Sequence, residues 1–440
     1  MSDPTAVQAP IVPERAAGWG LFILFLAYTL SFVDRTILSL LIEPMKRDMG
    51  LTDTQISLLQ GLAFSLVYTV AGVPIAMVAD RRSRKGIVAV GVGFWSVATA
   101  LCGLAGNFWQ LFLARMGVGV GEASLGPCAY SLIADMFPEE RRGRAMAIYG
   151  AGVKVGAGMA LVIGGSVVGY AAAVGSIDTP FGPLRAWQLV FVIVGLPGLI
   201  VAALAMTIPE PARAQGAAAS GPPVLPFVRA NARAIAWHFI GLGLCATTAV
   251  AVTSWVPSFY IRVHGFTAAE IGWMLGLILL ITGTLGAYAG GALSDWWSRR
   301  GHADATLRAA FLGIGVSTLF GPAAMLVPSA MLSLVMLTVA TAFAAFCAPA
   351  GGAALQRLVP GPYRARMAAL FLLVVTLLSG VLGPISVALA TDYLFGDDHA
   401  IGWSLALVLA VGDVGGAIFL LLCMPRFREA LERQAASKSL

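Results

Sequence analysis

The ten residues Ala76-Met77-Val78-Ala79-Asp80-Arg81-Arg82-Ser83-Arg84-Lys85 end an apolar stretch with one acid and a burst of base. The pattern returns as Gly291-Ala292-Leu293-Ser294-Asp295-Trp296-Trp297-Ser298-Arg299-Arg300, with its aspartate 215 residues after the first. A second polar loop, Pro138-Glu139-Glu140-Arg141-Arg142-Gly143-Arg144-Ala145-Met146, has its counterpart 222 residues on, at Pro360-Gly361-Pro362-Tyr363-Arg364-Ala365-Arg366-Met367-Ala368. Two loop pairs at nearly one offset indicate an internal duplication, and duplicated halves are a common way to build a transporter. The joint between the copies is the Ala-, Pro- and Gly-rich stretch 209–233.

Between these loops the chain is apolar. Of 440 residues, 58% are hydrophobic and 11% charged, and the mean hydropathy is +0.85, far from the composition of a soluble domain. Stretches of about 20 apolar residues, enough to cross roughly 30 Å of hydrocarbon as helix, fall at 17–43, 54–79, 86–106, 108–135, 144–172, 185–208, 234–261, 268–294, 305–327, 329–356, 365–391 and 401–424. Backbone polar groups at that depth find no water, so the spans must be helices packed on one another. The expectation is an all-α membrane protein of twelve transmembrane helices. Its parts are a disordered N-terminus (1–16), a six-helix bundle (17–208), a linker (209–233), a second six-helix bundle (234–424) and a tail (425–440). The first span follows Pro4, Pro10 and Pro13 without a small-residue cleavage site, so it reads as a helix and not as a removed signal.

The basic residues set the orientation. With both termini in the cytoplasm, 21 of the 28 Lys and Arg fall on that side, four fall outside (Lys46, Arg47, Arg185 and Arg262) and three, Arg35, Arg115 and Lys154, lie well inside spans, those at span ends being counted with the loops. That is the excess of positive charge expected of cytoplasmic loops. The net charge of +6 is therefore topology, and no basic, aromatic-laced patch supports nucleic-acid binding. Cys102, Cys128, Cys245, Cys347 and Cys423 sit inside spans at irregular spacing, and His238, His264, His302 and His399 lack metal-ligand spacing, so neither disulfides nor a metal are expected. A nucleophile-and-base set is missing, as is a phosphate-cradling loop after a strand, which points away from an enzyme, a cofactor and ATP-driven transport.

Charges inside spans carry the functional signal, because each costs at least about 2.5 to 3.5 kcal/mol at a helix centre. They are Asp34, Arg35, Arg115, Glu122, Lys154 and Asp413. Arg115 and Glu122 are seven residues apart, two helical turns, and so share a face. For Lys154 and Asp413 the weightier reading is pairing that holds helices together. A carboxylate in a water-accessible path is shifted one way by desolvation and the other by a nearby arginine, so opening the path to one side can change its protonation. Arginine suits bidentate recognition of phosphate or carboxylate. Gly150, Gly152, Gly156, Gly158, Gly164 and Gly165 permit close helix contact in span 5. Pro74, Pro127, Pro257, Pro349 and Pro384 are candidate kinks. Phe64, Tyr68, Trp95, Tyr130 and Trp255 suit a cavity wall or plain packing equally.

The acid, basic pair and small residue after span 2, repeated after span 8, resemble the loop signature of the major facilitator superfamily, with Ala76 where the pattern usually has glycine and Gly291 keeping it. Val33-Asp34-Arg35, Leu58-Leu59-Gln60-Gly61 with Phe64, and Arg115-Met116-Gly117-Val118-Gly119-Val120-Gly121-Glu122-Ala123 narrow the resemblance to the Spinster family. The resemblance implies two pseudo-symmetric six-helix halves, alternating access, and a central cavity lined by helices 1, 4, 7 and 10. It puts Asp34 and Glu122 in the role of proton-coupling groups, with Arg35 and Arg115 binding substrate or pairing with those acids. Asp80, Arg81, Arg84, Asp295 and Arg299 would be gating contacts. The implied cargo is amphipathic and anionic, such as a lysolipid or sphingoid phosphate. A proton-coupled multidrug or organic-anion exchanger is the alternative. A monomer in a bacterial inner membrane is expected, the location because the chain is compact, Ala- and Gly-rich and without long tails.

Overall fold

In this computed structural model, which describes residues 12–179, 182–212 and 224–436, nearly every apolar span is a helix. The outer part of the expected disordered N-terminus (1–11), the middle of the linker (213–223) and the last four residues lie outside the described residues. Helix 1 is Glu14–Met49, helix 2 Asp53–Ala79, helix 3 Arg84–Cys102, helix 5 Glu139–Val174 and helix 6 Ala186–Ala205. Helix 7 is Ala232–His264, helix 8 Ala268–Arg299, helix 9 Ala305–Leu326, helix 11 Arg364–Leu389 and helix 12 Ile401–Ala436. The expected tail is thus largely a continuation of helix 12, and a short helix, Val224–Ala230, occupies part of the linker. A two-stranded hairpin, Ile177–Thr179 with Gly182–Leu184, sits between helices 5 and 6.

Helices 4 and 10 are each built of two pieces in series. Helix 4 is Phe108–Glu122 followed by Leu125–Met136, and helix 10 is Ala330–Ala344 followed by Cys347–Leu358. The cause is in the sequence. Proline lacks an amide hydrogen and its ring collides with the carbonyl four residues earlier. Pro127 and Pro349 lie four residues after Ala123 and Ala345, the positions that cap the first pieces. The two breaks repeat the duplication seen in the loops, while Pro74, Pro257 and Pro384 sit within continuous helices.

The chain divides into two compact units: Met1–Met49 with Leu66–Ser220, and Gly50–Ser65 with Gly221–Leu440. Helix 2 therefore changes unit part-way along, where it switches to π-helical hydrogen bonding over Leu62–Leu66. A π-turn admits one extra residue and bends the helix. In the first unit, glycines let helix 5 press on helix 1: a Cβ on Gly156 would stand 2.6 Å from the Thr29 carbonyl oxygen and 2.7 Å from Phe32 Cβ. In the second unit, Phe239, Leu307, Leu355, Leu420 and Phe427 belong to a core shared by helices 7, 9, 10 and 12. Outward faces stay apolar, as at Val70, Met77, Val90, Leu319 and Leu372, which suits lipid as solvent.

Candidate functional site

Four of the intramembrane charges converge in the first unit. Arg35 donates from Nε to Glu122 Oε2 at 2.7 Å, and its Nη2 approaches the same oxygen at 2.7 Å. Ser31, one turn before Arg35 on helix 1, donates to that oxygen at 2.6 Å. Asp34 faces another way and accepts from the Thr99 hydroxyl of helix 3 at 3.0 Å. Arg115, Glu122 and Asp34 are each almost wholly buried, at 1%, 1% and 3% exposure, whereas the Arg35 side chain keeps 22%. The charges of Glu122, Arg115 and Arg35 all bear on Asp34. Two acids and two arginines thus form one balanced cluster, which lowers the penalty of burying each.

This arrangement follows from local sequence. Gly91 on helix 3 and Gly121 on helix 4 meet backbone to backbone: a Cβ on either would stand 2.8 Å from the other's carbonyl oxygen. That contact seats helix 4 on helix 3, whose Thr99 also donates to Asp34 of helix 1. Adjacent positions in a helix point about 100° apart, which sends Arg35 to Glu122 and Asp34 to Thr99. Aromatic rings flank the arginine: its guanidinium lies 4.9 Å from the Phe32 centroid and 4.8 Å from that of Tyr68. Beyond them Tyr28 stacks on Tyr149 at 4.5 Å, and Tyr130 meets Tyr149 edge-on at 5.5 Å. Tyr28 and Tyr149 carry no sequence motif, and only their position beside the charged segments would have flagged them.

Lys154 and Asp413 behave differently from the expected helix-to-helix ion pairs. Neither forms one among the described residues. Asp413 is fully buried in the second unit, accepting from Ser317 at 3.0 Å, and Lys154 is exposed.

The predicted loop residues separate sharply. Arg84 is 1% exposed and ties three elements together. It donates to Ser131 Oγ at 2.9 Å, pairs with Asp135 on helix 4, and donates to the Pro211 carbonyl at 2.8 Å. Its amide donates to Glu210, whose other oxygen takes the Ser83 hydroxyl. Burial alone would raise the Glu210 carboxyl, but the bonds from Ser83 and the Arg84 amide, with the charges of Arg84 and Lys85, outweigh it and hold the group below its ordinary 4.5. Asp80, Arg81, Asp295 and Arg299 are exposed and make no side-chain hydrogen bond or ion pair among the described residues.

One strong interaction had no motif to announce it. Asp53 and Arg262, both in the second unit, form a two-pronged pair at 2.6 and 2.8 Å, with side chains 0% and 4% exposed. Next to it Asp392 accepts from both the amide and the hydroxyl of Thr54 at 2.7 Å. Asp53, Asp392 and Asp398 bring carboxylate oxygens within 4.8 Å of one another, and Arg262 and Thr54 supply the opposing donors.

Twelve spans in two related halves, with a balanced charge cluster in the first unit and a matched loop at Arg84, meet an independent finding. The sequence pattern described as Major Facilitator Superfamily matches residues 24–384. The chain belongs to the Major Facilitator Superfamily. Over 439 residues it is 28% identical to an MFS-type efflux pump of Mycolicibacterium smegmatis, covering 96% of each chain. It is 30% identical over 287 residues to protein spinster homolog 1 of Rattus norvegicus, covering 60% of this chain and 52% of that one. Among solved structures it resembles a bacterial homologue of the human lysosomal transporter Spinster, in an inward-facing and unoccupied conformation, with TM-score 0.80, 27% identity and coverage of 96% and 98%. The Spinster resemblance read from helices 1, 2 and 4 is thereby borne out. As a major facilitator the protein is a multi-pass membrane transporter and not an enzyme.

Proposed function

We propose that this transporter is a proton-coupled carrier working by alternating access and moving an amphipathic anionic substrate such as a lysolipid or sphingoid phosphate. The observation that supports it is the Arg35–Glu122 pair, with Ser31 on the same oxygen and Asp34 close by on Thr99. In this reading Asp34 and Glu122 exchange protons. Protonating Glu122 removes the charge that holds Arg35, and the freed guanidinium then bears on substrate, as does Arg115. The Arg84 loop, with Asp80, Arg81, Asp295 and Arg299, acts in gating, the exposed four engaging only in another state of the cycle. Both termini face the cytoplasm, the location is a bacterial inner membrane, and the transporter works as a monomer. The Mycolicibacterium relative, called an efflux pump, favours the second reading, a proton-coupled multidrug or organic-anion exchanger, which shares the same chemistry.

The test is uptake into proteoliposomes under an imposed pH gradient, screening lysophospholipids, sphingoid phosphates and drug-like amphipaths. Glu122→Gln should lose gradient-driven accumulation and keep counterflow exchange of the same substrate. Accumulation intact in Glu122→Gln would remove proton exchange from this residue.

A further inference from the structure

The clustered charges balance, two acids against two arginines, and Lys154 stands outside that balance. It sits on helix 5, fifteen residues into a helix of 36. Its backbone is about 15 Å past residue 144, where the apolar span begins, at 1.5 Å per residue. A four-carbon stem does not cover that distance, so the ammonium does not snorkel to the headgroups. Helix 5 presents Gly152 and Gly156 to helix 1, where Gly152 meets Phe25, Tyr28 and Thr29 and Gly156 meets Thr29 and Phe32. Two residues turn an α-helix by about 200°, so Lys154, between these glycines, points directly away from helix 1. Its side chain is exposed and has no side-chain hydrogen bond or ion pair among the described residues. A lone ammonium at that depth carries at least about 2.5 kcal/mol of insertion cost. A charge kept there without a protein partner marks a place where an anion arrives.

We propose that Lys154 is the residue that receives the anionic head, a phosphate monoester or carboxylate, of the amphipathic substrate. The inference rests on the anionic-amphipath reading above and orders the contacts within it: Arg35 is held by Glu122 until that acid is protonated and bears on substrate only then, whereas Lys154 supplies a charge that is uncommitted from the start. Interpolating between Gly152 and Gly156 sets Lys154 level with Thr29, about 9 Å along the helix axis from Arg35. A head at Lys154, on the face of helix 5 turned away from helix 1, thus leaves the Arg35–Glu122 pair undisturbed. Lysine recognises phosphate as a point charge, so the contact discriminates by charge more than by shape.

Binding of two probes with the same acyl chain, oleoyl lysophosphatidate and the neutral monoolein, to the purified full-length transporter in detergent separates the possibilities. Wild type should prefer lysophosphatidate. Lys154→Gln should weaken lysophosphatidate by at least about tenfold and leave monoolein unchanged, while Lys154→Arg stays within about threefold of wild type. Lys154→Met takes the place of Lys154→Gln if the latter is not monodisperse. A wild type that prefers lysophosphatidate, together with a glutamine variant that binds it equally well, overturns the role of Lys154 and leaves the substrate reading standing. A wild type with no preference between the two probes overturns both. Inorganic phosphate binding as tightly as lysophosphatidate would instead assign the site to a free anion and refute the amphipath.

Discussion

Replacing Asp53 by Asn leaves the Arg262 guanidinium buried without its counter-charge. Breaking a buried ion pair by removing one member costs about 3 to 5 kcal/mol, chiefly from the stranded charge. Here the lower end applies, because Asp398, half exposed and 3.9 Å from Arg262 Nη1, can take part of the load. About 3 kcal/mol is roughly a hundredfold in an equilibrium constant. The effect should be local: Asp53 starts helix 2, and this first stretch packs within the second unit, where Gly61 comes so close to helix 11 that a Cβ would stand 2.8 Å from the Gly380 carbonyl oxygen. Hydrogen exchange resolved by mass spectrometry should therefore show the amides of Ile56 to Gly61 exchanging about a hundredfold faster in Asp53→Asn, with helix 9 unchanged. Replacing both members by apolar residues, Asp53→Leu with Arg262→Met, should recover most of the protection, since the cost lies in the unpaired charge. Unchanged exchange over 56–61 in Asp53→Asn would refute the claim that this pair fastens the segment.

Other outcomes follow from close packing and from charge. Gly156→Ala puts a methyl against the Thr29 carbonyl and should destabilise by about 1 to 3 kcal/mol, whereas Gly150→Ala meets nothing within 4 Å; equal melting temperatures for the two variants would contradict the helix 1–helix 5 contact. Because the Glu210 carboxyl is held below 4.5 in the folded protein, its stabilising effect is fully present above pH 4.5 and is lost as pH falls through the depressed folded value. The difference in melting temperature between wild type and Glu210→Gln should therefore shrink below that pH, and a difference constant into the acid range would show that the carboxylate's charge is not what Ser83 and Arg84 are holding.

Composition and loop repetition made the architecture legible, because lipid imposes length and apolarity on every crossing and the duplication survives in the loops. The breaks in helices 4 and 10 were half legible: Pro127 and Pro349 were visible as candidate kinks, but five prolines met that description and two interrupt their helices. The intramembrane charges were legible as a set because each is costly. Their pairing was not, since helical spacing says that Arg115 and Glu122 share a face and says nothing of the side chains on helix 1 that meet Glu122. Arg84 gained its weight from Asp135 and Glu210, 51 and 126 residues away in sequence. The Asp53–Arg262 pair spans 209 residues and joins a first-turn acid to a loop-end base, each with an adequate local explanation of its own. Lys154 shows the opposite case: a partner was expected from burial cost, and none is found among the described residues.

The path of helix 2 bears on how the chain can be divided. Any fragment ending in the 209–233 linker carries Gly50–Ser65, sixteen residues built into the second unit. The remaining fragment, made alone, would lack a piece of its own interior and expose the surfaces of helices 7 and 11 that receive it. Separately expressed halves should therefore complement one another in the manner of an exchanged segment, held by Asp53 on Arg262 and Thr54 on Asp392. The covalent linker would then be dispensable for assembly, and the sixteen residues would not.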